Sequence, residues 1–271
     1  MRTVLRPIGS VAKAVVRPET YPGHVREAVS IAITAAVWPT GFADRGIQEI
    51  RELAGSPAPA VATPVLLVHG FAANKSNWMF LQRDLRAAGY GRVHALNYNP
   101  FRDDIPTIAA ACVTRARQLM DATGTEQVHL VGHSLGGIVV RYAVQLGGLT
   151  EAASCISVAS PHQGVTLARF VPRAGTAAAQ LAPDSDVLRR LRASSRKLDT
   201  RFVAYYSNLD LLVPGHRALI GEPVLRPRNI LVKDEGHLSI LLSRRLSASM
   251  LQELDEVEAR PGAARRHLRA A

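Results

Sequence analysis

The chain has 271 residues, of which 47% are hydrophobic and 20% are charged. These values are typical of a folded globular protein and exclude wholesale disorder, and the length favours one large α/β domain over two small ones. Aromatic residues make up 5% of the chain, too few for a surface that stacks the bases of single-stranded nucleic acid. The net charge of +11 comes without a recognition motif, so we predict no nucleic-acid partner.

The first 60 residues contain a basic segment, an apolar run and a linker rich in proline and alanine. The apolar run covers residues 28–38, and the basic residues Arg2, Arg6, Lys13 and Arg17 precede it. This order resembles a signal peptide, but the basic part is long and contains prolines, and no clean cleavage site follows. A run of about eleven residues is also too short to span a bilayer, which needs roughly 20.

We therefore expect this apolar run to form a helix that packs on the surface of the domain. Contact of the helix with a membrane interface is the alternative interpretation. Both interpretations favour a cytoplasmic or peripheral-membrane location over secretion. The sequence leaves the oligomeric state open.

From residue 61 to residue 259, strand patterns alternate with helix patterns, and residues 260–271 form a basic tail. The predicted strands cover residues 64–68, 92–97, 127–131, 154–159, 201–207 and 229–232. The predicted helices cover residues 76–88, 105–122, 135–146 and 237–258. Strands separated by helices of this length indicate an α/β fold with a mostly parallel central sheet and helices on both faces.

One stretch, residues 165–200, interrupts this alternation between two predicted strands. A connection of that length inside a compact domain is usually a functional insertion or a lid. Its apolar side chains lie beside arginines, as in an amphipathic segment, and include Leu167, Phe170, Val171 and Leu181. We predict a lid-like insertion that contacts an apolar substrate.

The sequence from Gly132 to Gly137 follows a buried strand pattern and begins a helix pattern. The spacing Gly132-x-Ser134-x-Gly136 is that of a nucleophile elbow, in which a serine stands on a sharp strand-to-helix turn. The small residues on either side allow strand and helix to approach closely, so that the serine hydroxyl is lifted clear of the backbone. The turn also aims the Leu135 N–H, at the helix N-terminus, toward the group that the serine attacks.

This motif and its context resemble the α/β-hydrolases, and within them the bacterial lipases and esterases. The resemblance runs from about residue 64 to residue 242, leaving the first 60 residues and the tail outside it. It implies the α/β-hydrolase fold, with Ser134 as nucleophile.

The first strand pattern ends in His69-Gly70-Phe71. Acyl transfer develops negative charge on the former carbonyl oxygen, which two backbone N–H donors should stabilise. The resemblance implies that these donors, the oxyanion hole, are the amides of Phe71 and Leu135. The sequence His-Gly followed by a hydrophobic residue is similar to lipases that take medium and long acyl chains. His69 itself is expected mainly to organise the loop.

A serine nucleophile needs an imidazole base, and that imidazole needs a carboxylate that fixes its tautomer. Among nine histidines, His237 follows the last strand pattern, where the family places its catalytic histidine, while His216 and His162 stay as alternatives. In the family the acid lies between serine and histidine in the chain. Asp210 has the expected form, Asp-x-x-Val-Pro, directly after a strand pattern.

The remaining candidate acids are Asp184, Asp186, Asp199 and Asp234, and Asp210 itself has the alternative of being a turn-forming residue. No metal-binding, P-loop or dinucleotide-binding motif is present, and the chain has two cysteines, so we predict neither a metal nor a cofactor.

Together these features predict a serine hydrolase that cleaves carboxylic esters, with a small-molecule acyl ester or lipid as substrate. Two alternatives stay open. One is an acyltransferase, which differs only in the acceptor that reaches the acyl-enzyme. The other is a catalytically idle hydrolase-fold protein that binds a ligand or partner.

Overall fold

The computed structural model describes residues 21–42, 45–56, 59–171 and 175–260. The four basic residues predicted to precede the first helix, and the tail from residue 261, lie outside these ranges. The helices are α1 (Tyr21–Val37), α2 (Ile47–Gly55), α3 (Met79–Ala87), α4 (Ile105–Thr123), α5 (Leu135–Gln145), α6 (Asp186–Ala193) and α7 (Arg244–Glu258). The strands are β1 (Val65–Val68), β2 (Val93–Leu96), β3 (Val128–His133), β4 (Ala152–Val158), β5 (Arg201–Tyr206) and β6 (Arg228–Leu231).

The six strands form one sheet in the order β2-β1-β3-β4-β5-β6. Every neighbouring pair is parallel, so the sheet is entirely parallel where the sequence predicted a mostly parallel one. Every residue of β1 to β4 is buried. Such continuous apolar strands are characteristic of parallel sheets covered on both faces. The carboxyl ends of the strands therefore meet along one edge, which is where ligands bind in this architecture.

Helices cover both faces of the sheet, because successive side chains of a strand point to opposite sides. In β1, Leu66 and Val68 belong to the core that includes helices α4 and α5. Val65 and Leu67 belong to the other core, which includes α3 and α7. The predicted α/β fold with helices on both faces is thus confirmed.

Three local features differ from the sequence prediction. Helix α1 begins well before the apolar run of residues 28–38, and α2 was not predicted. The predicted helix over residues 237–258 is wrong in its first part, where Ser239–Leu242 is a short 3-10 turn. Ser243 then has extended backbone (φ −75°, ψ 121°), so that α7 begins only at Arg244. Residues 165–200 contain α6 and two 3-10 turns, Thr166–Phe170 and Ala179–Leu181.

A buried ion pair connects α5 to the loop between β5 and β6. The guanidinium of Arg141 is almost fully buried and lies 2.8 Å from a carboxylate oxygen of Glu222. Arg141 also donates to the side-chain oxygen of Gln145 at 2.6 Å. Burial lowers the pKa of Arg141, and the Glu222 carboxylate opposes that shift. Removing one partner would leave the other as an uncompensated buried charge, which is strongly destabilising.

We predict that Glu222→Ala lowers the free energy of unfolding by about 3 kcal/mol, because it isolates the buried guanidinium. Urea denaturation at neutral pH measures this effect. Glu151→Ala is the matched control, since its ion pair with Arg117 is largely exposed and should contribute less than about 1 kcal/mol. Equal losses in the two variants would contradict the account.

Candidate active site

Ser134 lies on a sharp turn between β3 and α5. Its backbone has φ 53° and ψ −119°, a left-handed conformation that non-glycine residues adopt only under strain. The Ser134 N–H donates to the carbonyl of Val158 at the end of β4, at 2.8 Å. The strain is therefore held in place by the neighbouring strand, as a nucleophile elbow requires.

The glycines around this turn are required by close backbone contacts. A Cβ atom at Gly132 would lie 2.3 Å from the carbonyl carbon and oxygen of Gly136. A Cβ at Gly136 would lie 2.1 Å from the carbonyl oxygen of Val68. These distances are shorter than any van der Waals contact, so both positions need glycine if α5 is to begin directly above the ends of β1 and β3.

His237 and Asp210 contact each other beside this turn, although they are 27 residues apart. His237 Nδ1–H donates to Asp210 Oδ2 at 2.8 Å. The other oxygen, Asp210 Oδ1, accepts the backbone N–H groups of Leu212 and Val213 at 2.9 and 2.8 Å. Because the carboxylate accepts a hydrogen bond, the proton of the neutral imidazole lies on Nδ1. Nε2 is then free to accept a proton, which is the tautomer that a general base needs.

Ser134 and His237 both line a cavity of about 400 Å³. Most of its wall is apolar, and the insertion contributes one side of it, with Val165, Leu167, Ala168, Val171, Ala178 and Leu181. Phe170, also predicted to contact substrate, is instead exposed outside the lining. Within the described chain no hydrogen bond joins the Ser134 hydroxyl to His237; such catalytic bonds often tighten only when substrate is bound.

The two amides predicted as oxyanion donors lie next to this cavity. Leu135 is the first residue of α5, so its N–H is one of those that a helix leaves without an internal acceptor. Phe71 follows β1 and lines the cavity itself. Among the described residues neither amide donates a hydrogen bond to the protein, which leaves both available to a ligand.

His133 was considered from the sequence only as part of the elbow. It connects the elbow to the loop that carries His237, which we call the histidine loop. Burial, together with the nearby His237, lowers the pKa of His133 well below its ordinary value, so the ring is neutral. Its Nε2 lies 3.0 Å from the carbonyl oxygen of His237; since a carbonyl only accepts, Nε2 carries the proton. The sequence offers no signal for this contact beyond the position of His133 beside Ser134.

His69 organises the loop that leads to Phe71, as expected. Its Nδ1–H donates to the carbonyl of Gly70 at 2.9 Å, and its ring stacks on that of Tyr98 with centroids 4.1 Å apart. Burial lowers the pKa of His69 to about 4. The ring is therefore neutral at physiological pH and does not add charge to the site.

The alternative candidates lie elsewhere. His162 is fully buried and contacts Ser157 Oγ at 2.8 Å, and His216 lies in an exposed 3-10 turn. Asp199 lines a different cavity, and Asp234 accepts a hydrogen bond from Asn208. Within the described ranges no group of three or more metal-binding side chains is present.

Helix α1 contacts the loop that carries His237. The carboxylate of Glu27 accepts the backbone N–H groups of Leu238, at 3.0 Å, and Ser239, at 2.7 Å. Arg26 lies 3.4 Å from the carboxylate of Glu235 in the same loop. These contacts join segments more than 200 residues apart, and no short motif in the sequence could have predicted them.

The sequence comparison agrees with this architecture. A model of the alpha/beta hydrolase family matches residues 65–267, which is most of the chain. The chain belongs to the alpha/beta hydrolase family. Helices α1 and α2 lie before the matched region, so the contact of Glu27 with the histidine loop is an addition to what the family match covers.

Two curated relatives are triacylglycerol lipases. The one from Burkholderia plantarii is 30% identical over 156 residues, covering 52% of this chain and 43% of the relative. The one from Pseudarthrobacter phenanthrenivorans is 33% identical over 120 residues, covering 41% of this chain and 37% of the relative. Each match thus spans less than half of the relative. A solved Bacillus licheniformis lipase in mature form has a TM-score of 0.59 at 18% identity, over 73% of this chain and 93% of that one, and shares the fold.

We predict that Gly136→Ala lowers the free energy of unfolding by at least about 2 kcal/mol, because the new methyl group must displace the Val68 carbonyl. Gly55→Ala is the matched control: a Cβ there meets nothing within 4 Å, and in a helix alanine is favoured by up to about 1 kcal/mol. Thermal or urea unfolding of both variants measures the difference. A Gly136→Ala variant as stable as the parent would show that the Val68 carbonyl does not restrict this position.

Proposed function

We propose that this protein is a serine hydrolase of carboxylic esters, in which Ser134 is the nucleophile, His237 the general base and Asp210 the residue that orients the base. The observation that carries the proposal is the pairing of His237 Nδ1 with Asp210 at 2.8 Å at the wall of the cavity that Ser134 also lines. The named relatives support the same reaction class: two are triacylglycerol lipases.

The reaction proceeds in two steps. Ser134 Oγ attacks the ester carbonyl carbon while its proton passes to His237 Nε2, and the resulting oxyanion accepts the N–H groups of Phe71 and Leu135. The intermediate collapses, and the alcohol leaves with the proton from His237. Water then attacks the acyl-enzyme, again giving its proton to His237, and releases the carboxylic acid and the free Ser134 hydroxyl.

The cavity indicates an apolar acyl group. The insertion supplies one wall with side chains such as Leu167, Val171 and Leu181, and Leu212 and Val213 supply more of the lining. Of the residues that the structure describes, no aspartate, glutamate, lysine or arginine lines this space, so burial of hydrocarbon is the main available source of binding energy. We therefore propose a lipid-like ester as substrate, with residues 165–200 as the lid-like segment that contacts its acyl chain.

Ser134→Ala should reduce hydrolysis of p-nitrophenyl esters by several orders of magnitude, because it removes the hydroxyl that we propose as the nucleophile. A fluorophosphonate should label the parent protein at Ser134, as located by peptide mass spectrometry. Thermal stability should be nearly unchanged, since alanine keeps the Cβ atom and loses only the hydroxyl group. Label on a different serine, or an active protein that takes no label, would remove Ser134 as the nucleophile.

Asp210→Asn should lower kcat by roughly 10² to 10⁴-fold with little effect on folding. Because the Leu212 and Val213 amides require an acceptor on one side, asparagine must turn its NH₂ group toward His237. Nδ1 then becomes the acceptor, and the proton moves to Nε2, where it blocks the base.

Asp199→Asn is the control, since Asp199 lies at another cavity. The measurement is steady-state kinetics on a short-chain ester. If Asp210 were only a turn-forming residue, the kcat of Asp210→Asn would be close to that of the parent protein. That result would contradict the assignment of Asp210 to the triad.

Glu27→Ala should lower kcat about tenfold while KM stays nearly constant, because two amides beside His237 lose their acceptor and the imidazole is held less firmly. Glu27→Gln, which keeps one carbonyl acceptor, should recover part of the loss. Glu126→Ala, at an exposed position, is the control for removing a glutamate. Parent kcat in Glu27→Ala would exclude a positioning role.

A further inference from the structure

Helix α1 has the opposite polarity to an ordinary surface helix, which turns its apolar face to the core. Its inward face is mostly polar or small: Gly23 and Ser30 are its buried residues, and the half-buried residues beside them are His24, Glu27, Ile33, Thr34 and Val37. Its exposed face is almost entirely apolar and consists of Tyr21, Pro22, Val25, Ala28, Val29, Ile31, Ala32, Ala35 and Ala36. We call these nine residues the outer face of α1.

The exposure on this outer face is large. Tyr21 is 63% exposed, Val25 58%, and Val29 and Ile31 52% each. Arg26 is the only charged residue among the exposed residues of the helix, and its side chain is directed to Glu235. Single exposed apolar residues need no explanation, but a contiguous apolar face rimmed by charge usually marks an interaction site.

The helix cannot rotate to bury this face. The Glu27 carboxylate is bound to the amides of Leu238 and Ser239. On the same side, a Cβ at Gly23 would lie 2.3 Å from Leu209 Cδ1, so the backbone of the helix lies directly on the loop that carries Asp210. The inward, polar side is therefore fixed by the active-site loops, and the apolar side is held toward the exterior.

Helix α1 also borders the cavity, through its inward side. Thr34 of α1 lines the cavity together with Leu167 and Leu212, and these two leucines are themselves 70% and 59% exposed. Phe170 of the insertion is exposed as well. Exposed apolar side chains are thus present beside the cavity as well as on the outer face of α1.

The basic net charge of the chain indicates which kind of partner fits the outer face of α1. The chain carries +11, and the 20 residues that precede α1 contain four basic residues and one acidic residue, Glu19. Two copies of so basic a chain repel each other, whereas an anionic lipid surface attracts basic segments beside an apolar helix face. Among the described residues no helix is long and apolar enough to cross a bilayer.

We propose that the outer face of α1 docks on the surface of an anionic lipid bilayer. The helix lies in the plane of the interface, with its apolar side chains among the acyl chains and its polar side on the protein. This docking is separate from ester hydrolysis and does not require it.

Vesicle co-sedimentation tests the proposal with the full-length chain carrying Ser134→Ala, so that lipid is not consumed. Phosphatidylcholine vesicles with phosphatidylglycerol should bind the protein, and vesicles of phosphatidylcholine alone should bind it much less. Val29→Glu and Ile31→Glu, tested separately, should each lower the partition coefficient about tenfold or more, because a charge enters the apolar face. Val224→Glu, also at an exposed apolar residue but outside α1, should leave binding unchanged.

Circular dichroism of each variant verifies that the fold is retained, as expected for positions that are between 44% and 52% exposed. Absence of binding to the anionic vesicles, or equal binding of Val29→Glu, Ile31→Glu and the parent, would overturn the proposal. Sedimentation velocity provides the competing result: a dimer that Val29→Glu dissociates, without vesicle binding, would make the outer face a contact between two copies of the chain.

Discussion

The geometry of the candidate active site depends on two glycines, at the place where α5 begins above the sheet. At Gly132 and Gly136 the backbones of strand, turn and helix approach to distances that leave no room for a methyl group. This close approach forces Ser134 into its left-handed conformation and places it at the carboxyl end of a central strand. The loops after β1, β5 and β6 then bring Phe71, Asp210 and His237 toward the same point, since the ends of parallel strands meet along one edge.

His237 is held by contacts from nearby and from distant parts of the chain. Asp210 contacts the ring at Nδ1, while His133 and Glu27 bind the backbone that follows the ring, at the His237 carbonyl and the Leu238 N–H. The ring and its backbone are thus held by separate groups, each with a satisfied hydrogen bond. Such preorganisation reduces the reorganisation that a reaction at Ser134 would require.

Much of the fold could be predicted from the sequence, because continuous apolar strands and the helices between them leave clear periodic patterns. The residues Ser134, Asp210 and His237 could be singled out, since each stands in a local motif at the end of a strand. The break at Ser243 in the predicted last helix could not be predicted, because serine is compatible with a helix. Only the tertiary contacts around residues 239–242 favour the turn. The roles of His133 and Glu27 are long-range contacts without a local signature. The apolar run in α1 predicted a helix, but hydrophobicity alone does not tell which side of a helix faces the domain.

The bond between Glu27 and the histidine loop also has a consequence for how the molecule assembles. It joins residues 211 positions apart in the chain, close to the largest separation that the described residues allow. Contacts of such high sequence separation form late, because a long loop must close before they add stability. During synthesis on the ribosome, Glu27, the acceptor for the Leu238 and Ser239 amides, emerges long before those amides do. The histidine loop can therefore become fully ordered only after all six strands have been synthesised.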